Sequence, residues 1–267
     1  MFSRFVAVAV NIRAIAMAVL TVSLATTASV AAPAAQDLLR ASDAIRNPAR
    51  PFKARVVLTE FEEGKQVDTS TLVTYSREQD NSGQYATLVS FVHPARDAGK
   101  LMLRNGDDLW FYDPSTKASI RLSPQQRLMG QASNGDVVTV NLARDYAAKL
   151  LAEEMVVNGE RKERRSFKLG LIASAPSATY ASIEYWVDAE NKRPIKGLFY
   201  AESGHLLKTV FYRRYQAQLG EDRPTEMVII DGLKPQSVTL MRFSDFSTPT
   251  IPATWFSRDY LPRFQPE

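Results

Sequence analysis

Apolar and polar residues alternate with a period of two along most of the chain, and one early stretch keeps the period of a helix. Residues 36–45 set Leu38, Leu39, Ala41 and Ile45 among polar neighbours and stop before Asn47-Pro48, which predicts one amphipathic helix of about three turns. Strand patterns follow. Ala54, Val56 and Leu58 alternate with Lys53, Arg55 and Thr59, Glu63-Gly64 turns the chain, and residues 67–75 alternate again, giving one long hairpin. Asn105-Gly106 joins residues 100–104 to 108–112 and is the strongest local hairpin signal in the sequence. Further strands are expected over 84–93, 119–122, 147–157, 166–172, 180–188, 195–201, 206–215, 226–231 and 238–246. Asp80-Asn81-Ser82-Gly83, Pro94, Asp113-Pro114, Asn158-Gly159 and Ser203-Gly204 punctuate them. Residues 123–143, with Pro124, Gly130 and Gly135, keep neither period and read as a long loop with short helical pieces. Residues 252–261 predict a short terminal helix that packs Trp255 and Phe256.

Eleven to thirteen strands joined by short polar turns, without intervening helices of 10 to 15 residues, exclude a βαβ architecture. A large curved antiparallel sheet, closed or half closed into a barrel, is the expected product. Several strands carry bulk on both faces: Leu109-Trp110-Phe111-Tyr112, Gly197-Leu198-Phe199-Tyr200, and Leu206-Leu207 with Val210-Phe211-Tyr212. Both sides of such strands must be covered. An interior filled by its own side chains under a helix would do it, and so would a lumen that accepts an apolar ligand.

Composition narrows the chemistry. The 267 residues are 45% hydrophobic and 23% charged and contain no Cys, which excludes disulfide scaffolds, thiolate metal sites, thiol catalysis and acylation of an N-terminal Cys. Arg4 and Arg13 precede an apolar run over 14–25, and Ser29-Val30-Ala31 or Ala32-Pro33-Ala34 offers small residues for cleavage. Residues 1–31 therefore read as a secretory signal peptide, with residues 32–267 as one domain. The apolar run is shorter than the ~20 residues an uncleaved anchor needs. Cleavage after Ala31 removes two of the 33 Lys and Arg and none of the 29 acids, so the mature chain carries a net charge of only +2. That balance gives no footprint for nucleic acid.

Catalytic groups do not assemble in the sequence. His93 and His205 have no partner at metal-ligand spacing, GLIAS at 170–174 lacks the central Ser of a nucleophile elbow, and no dinucleotide fingerprint occurs. Gly130 to Gly135 copies the start of a phosphate loop but continues with Asp136-Val137, which would repel phosphate. Paired acids at Glu62-Glu63, Asp107-Asp108 and Glu153-Glu154 would point to opposite faces of a strand. No enzyme, cofactor or metal is expected.

The run Gly99-Lys100-Leu101-Met102-Leu103-Arg104, then Asp108-Leu109-Trp110-Phe111-Tyr112-Asp113-Pro114-Ser115-Thr116, then Ile120-Arg121-Leu122-Ser123-Pro124-Gln125-Gln126-Arg127-Leu128-Met129-Gly130 resembles the outer-membrane lipoprotein-sorting family, the LolA-like proteins. Trp186-Val187-Asp188, Pro194-Ile195-Lys196, Phe199-Tyr200, Gly204-His205-Leu206-Leu207-Lys208-Thr209 and Ser244-Asp245 extend the likeness over nearly the whole mature chain. The resemblance implies a mainly β fold, a half-open antiparallel β-barrel of about 11 strands with helices covering the concave mouth, located in the periplasm. It further implies a carrier of lipid or lipoprotein acyl chains, and association with an inner-membrane transporter of the resistance-nodulation-division type. A monomer is expected.

Sheathing a chain of roughly 16 carbons gains on the order of 10 kcal/mol, so a carrier needs a lid that moves and an adaptable lining. Phe91, Leu103, Trp110, Phe199 and Phe211 are the expected lining, and Leu38, Leu39, Leu128 and Met129 the expected lid. The family's best-known carrier latches its lid with a basic residue on an early strand; Arg55 lies on the first strand here, and the resemblance leaves open whether it takes that role. The alternative is a non-catalytic sensor or scaffold that docks a membrane transporter or an anti-sigma factor with its cavity filled by side chains. An esterase acting through His93 or His205 comes third.

Overall fold

The computed structural model describes Met1, residues 34–79 and residues 83–265. Apart from Met1, the expected export signal over residues 1–31 lies outside the described residues, as does the Asp80-Asn81-Ser82 turn. Helix α1 (Ala35–Arg46) carries Asp37 in its first turn and Arg46 in its last, where the helix dipole favours each charge. Asn47, extended ahead of Pro48, ends it.

Six strands then meander: β1 (Phe52–Glu62), β2 (Lys65–Glu78), β3 (Tyr85–His93), β4 (Leu101–Asn105), β5 (Asp108–Asp113) and β6 (Ala118–Arg121). At Glu63-Gly64 both residues have positive φ, 52° and 79°, the twist-matched turn that holds β1 and β2 together. An irregular stretch contains β7 (Arg127–Met129), β8 (Ala132–Ser133), a 3-10 turn at Asn134–Asp136 and the short α2 (Leu142–Asp145). The meander resumes through β9 (Tyr146–Val157), β10 (Glu163–Ala173), β11 (Ser182–Asp188), β12 (Pro194–Tyr200), β13 (Leu206–Gln218), β14 (Glu221–Asp231) and β15 (Ser237–Ser247).

Among the described residues, thirteen strands form one antiparallel sheet in the order β6-β5-β4-β3-β2-β1-β15-β14-β13-β12-β11-β10-β9, with β7 and β8 paired apart. This is the upper end of the expected strand count, and the edges β6 and β9 do not pair, so the barrel is half open. Two consequences follow from the order. The first and last strands meet in the middle of the sheet, with Val56 opposite Phe243 and Leu58 opposite Met241. Residues 122–145 must run from one edge strand to the opposite one, and they do so across the inner face.

Register decides which side chains face inward. Leu72 stands opposite Val56 on one side and Phe91 on the other. With Leu58, Val89 and Met102 they join Leu38 and Leu39 of α1 and Val137, Val138 and Leu142 of the crossing segment in one core. The outer face has its own cover. Tyr75, Leu88, Leu101, Leu103 and Tyr112 lie under Ile251, Phe256, Leu261 and Phe264 of the C-terminal stretch. Trp255 and Phe264 meet edge to face with centroids 5.0 Å apart, and each does the same with Tyr75 at 5.4 and 5.5 Å. The expected terminal helix is two 3-10 pieces, Ala253–Phe256 and Arg258–Arg263, the second holding Pro262, which supplies no amide donor. The bulk on both faces of β5 is thereby explained: Leu109 and Phe111 face inward, Trp110 and Tyr112 pack under the C-terminal stretch.

Candidate ligand cavity and its lid

A cavity of about 130 Å³ lies between the inner face of the sheet, the end of α1 and residues 135–142 of the crossing segment. Its wall is mostly apolar, with Val56, Val138, Phe199, Val210, Met227 and Phe243 around it. Arg46, Thr74, Asp136, Tyr180 and Tyr212 add polar atoms. Space of this size holds a single small ring, by analogy with dry engineered cavities of roughly 150 Å³ that take up benzene. A sixteen-carbon chain needs the roof to move.

The roof is the crossing segment, and polar groups fasten it at three places. In the middle, Lys208 on β13 is 3% exposed and points inward. Its Nζ donates to Gln131 O at 3.0 Å and Ser133 Oγ at 3.2 Å, forms an ion pair with Asp136, and lies 5.0 Å from the centroid of the Tyr180 ring. Asp136 also accepts from Ser133 N and from Tyr180 Oη, each at 2.7 Å. At the helix end, Ala143 N donates to Asp43 Oδ2 at 2.7 Å, while Arg46 Nη2 and Asn47 Nδ2 donate to Val140 O at 3.0 and 2.8 Å. Burial pushes the Asp43 carboxyl up, opposed by the paired Arg46. On the β3–β4 side, Arg104 and Asp145 form a buried pair at 3.2 Å, and Gln84 Nε2 donates to Asp145 Oδ1 at 2.9 Å.

Two glycines let the roof lie close. A Cβ on Gly130, whose φ is 53°, would collide with Thr239 Oγ1, and one on Gly135 would collide with Thr179. The spacing that mimicked a phosphate loop is thus a packing device, and Gln131 N donates to Thr239 Oγ1 at 2.8 Å beside it.

The expected site residues divide between the two faces. Phe199 lines the cavity, edge to face with Tyr180 at 4.9 Å. Phe91 shares the inner core but packs on Phe111 at 6.0 Å, away from the cavity wall. Leu103 and Trp110 belong to the outer cluster under the C-terminal stretch, and Phe211, between the inward Val210 and Tyr212, faces outward. Leu38, Leu39, Leu128 and Met129 all pack in the inner core, the last two on β7 of the roof. Arg55 points outward to Asp245 at 2.8 Å and takes no part in fastening. Lys208 was missed because a lone Lys in a strand reads as solvent-facing. Its one sequence signal is position, since it shares parity with Val210 and Tyr212.

A family model described only as "uncharacterized protein" matches residues 83–263. No curated protein matches the chain. Among solved structures, a LolA superfamily protein from Nitrosomonas europaea is 34% identical, covering 86% of this chain and 100% of its own, with a TM-score of 0.76. A putative outer-membrane lipoprotein-sorting protein domain from Vibrio parahaemolyticus is 21% identical, covering 86% and 98%, with a TM-score of 0.72. A DUF1329 family protein from Desulfovibrio piger is also 21% identical, covering 85% and 97%, with a TM-score of 0.71. The last two show the fold.

Proposed function

The chain belongs to the LolA superfamily, and from that premise we propose that it is a periplasmic, non-enzymatic carrier that holds lipid or lipoprotein acyl chains in the half-barrel and passes them between envelope components. The observation that carries the reading is the apolar cavity under a roof fastened by polar contacts. A roof held by hydrophobic packing alone would stay shut, because dislodging it would expose apolar surface at about 25 cal/mol per Å². Hydrogen bonds and ion pairs can be exchanged for water or for a partner at smaller net loss. Export by a signal peptide over residues 1–31, delivery by an inner-membrane transporter and a monomeric state belong to the same proposal. Among the described residues no helix is long and apolar enough to cross a membrane.

The test is to express the full chain with its own N-terminus, purify it from the periplasm without detergent, and combine native mass spectrometry with lipid extraction. Co-purifying lipid is the expected result and names the client class. A clean apo mass, unchanged after incubation with vesicles, would move the assignment to a sensor or scaffold whose interior is filled by its own side chains.

A further inference from the structure

Three basic residues stand at backbone positions that favour Gly or Asn: Arg161, Lys192 and Arg214 have φ of 61°, 62° and 54°. All three belong to one end of the sheet. Arg161 is in the β9–β10 turn, Lys192 in the β11–β12 turn, and Arg214 lies within β13. The β9–β10 turn reaches past the shorter β11–β12 hairpin to β13, where Arg214 N donates to Glu160 Oε1 at 2.9 Å and a Cβ on Gly159 would lie 3.2 Å from that of Arg213. Between the three segments is a cavity of about 300 Å³, more than twice the inner one, and Tyr212 borders both.

The wall of this rim pocket carries Lys162, Arg164, Arg193 and Arg214 against Glu160 and Asp188. Both acids already hold the turns. Glu160 accepts from Arg214 N, and Asp188 Oδ1 accepts from Glu190 N and Asn191 N at 2.9 and 3.2 Å. Arg164 Nε is 4.0 Å from Asp188 Oδ2, the outer limit of an ion pair, and Lys162 has no acid within that limit among the described residues. Arg193 pairs with Asp222 and stacks on Tyr215, 4.7 Å from the ring centroid, while Arg214 shares Glu226 with Arg213 and Arg242. With those partners counted, six cations face four acids, so the site keeps an excess of two positive charges. An anion with several acceptor oxygens matches that excess and the donors that reach the pocket from three segments. Phosphate has three or four such oxygens and, as a monoester, a charge of roughly −1.5 to −2 at neutral pH. We propose that this rim pocket binds a phosphate group, the chemistry shared by lipid head groups and soluble phosphate esters.

In the experiment the full chain, expressed with its own N-terminus, is titrated at neutral pH with glycerol phosphate and with succinate, and is floated with vesicles of phosphatidylglycerol or of phosphatidylcholine. Glycerol phosphate is expected to bind about tenfold more tightly than succinate, whose similar charge is split between two separated carboxylates. Lys162→Gln/Arg164→Gln should weaken glycerol phosphate about tenfold. Arg161→Gln/Arg165→Gln removes the same charge from side chains outside the wall and should weaken it by less than about twofold. Urea unfolding of each variant separates lost binding from lost folding. Flotation with phosphatidylglycerol alone, reversed by glycerol phosphate, assigns the phosphate to a lipid head group; glycerol phosphate binding without flotation assigns it to a soluble ester. Equal affinity for succinate, or equal weakening by the two double variants, would overturn the proposal and leave a diffuse basic surface. Absence of both binding and flotation would overturn it as well, whether or not the protein co-purifies with lipid, so its failure is distinct from that of the carrier reading.

Discussion

Replacing Lys208 by Met separates a working latch from an ordinary buried ion pair. Met fills nearly the same length, so the packing of β13 is kept while the cation is lost. Asp136 then retains two neutral donors, Ser133 N and Tyr180 Oη, but faces the cavity without its countercharge. Breaking a buried pair from one side costs about 3–5 kcal/mol, and the two remaining donors place this case near 3. That energy is lost from the closed state. If cargo binds only when the roof has lifted, apparent affinity scales with the open fraction, so a 3 kcal/mol penalty on closure tightens acyl binding by about a hundredfold, up to the point where the open state dominates. Stability and affinity therefore move in opposite directions. The assay pairs urea unfolding with titration of a long-chain acyl ester into wild type, Lys208→Met, and a Lys208→Met/Asp136→Leu variant that restores a neutral contact. The double variant should recover stability and return toward wild-type affinity. Affinity that falls together with stability in Lys208→Met would refute the latch and make the pair a plain element of the core.

Three further outcomes follow from the same geometry. Phe199→Ala should cost about 3 kcal/mol, the low end for a buried Phe because its ring already borders free space, and should admit bulkier probes; an unchanged ligand range in a dye-displacement series would sink this. Leu103→Ala, 1% exposed on the outer face, should cost a similar amount in urea unfolding yet leave acyl affinity where it was, and a selective loss of binding would contradict the assignment of faces. Burial pushes the Glu226 carboxyl up, but hydrogen bonds from Arg242 and Arg213 outweigh it and hold the group below its ordinary range. Its stabilisation is thus fully present above the ordinary carboxylate pKa and is lost as pH falls through the lower folded value. The stability gap between wild type and Glu226→Gln should be widest near neutral pH and narrow as pH falls below the ordinary carboxylate value of about 4.3, which unfolding curves across the acid range will show.

The strands were legible because each depends on a local alternation and a local turn. Glu63-Gly64 and Asn105-Gly106 announce their hairpins within a few residues. Where one rule masked another, reading failed. The turn at Leu219-Gly220, with φ of 54° and 90°, lay hidden between Arg-rich residues and Pro224, so β13 and β14 run longer than their alternation indicated. The lining could not be read at all from one strand at a time. Leu103 and Met102 are neighbours of equal apolarity, and only their pairing with Leu88 and Val89 sends one outward and the other inward. What covers the outer face is some 150 residues further along the chain, at Phe256 and Phe264. No period in the sequence links the two.

The same separation explains why bulk on both faces was ambiguous evidence for a ligand. On β5 the second face is covered by the chain's own C-terminal stretch, so its apolar residues report packing. On β12 and β13 the inward Phe199 and Val210 meet free space, while the roof above them is held by Lys208, Asp43 and Arg46. The roof packs Val137, Val138 and Leu142 into the inner core and is fastened by polar groups at Asp136, Val140 and Ala143, so lifting it uncovers apolar surface that an entering acyl chain can cover again. On the carrier reading this sets a usable balance: roughly 10 kcal/mol from sheathing a long acyl chain is offset by the closure energy of the latches and by the ordering of the chain. The remainder is small enough for a partner that recaptures either the roof or the cargo to tip the exchange. A protein built only for stability would have placed Leu or Met at position 208, the substitution whose effect on binding separates the two designs.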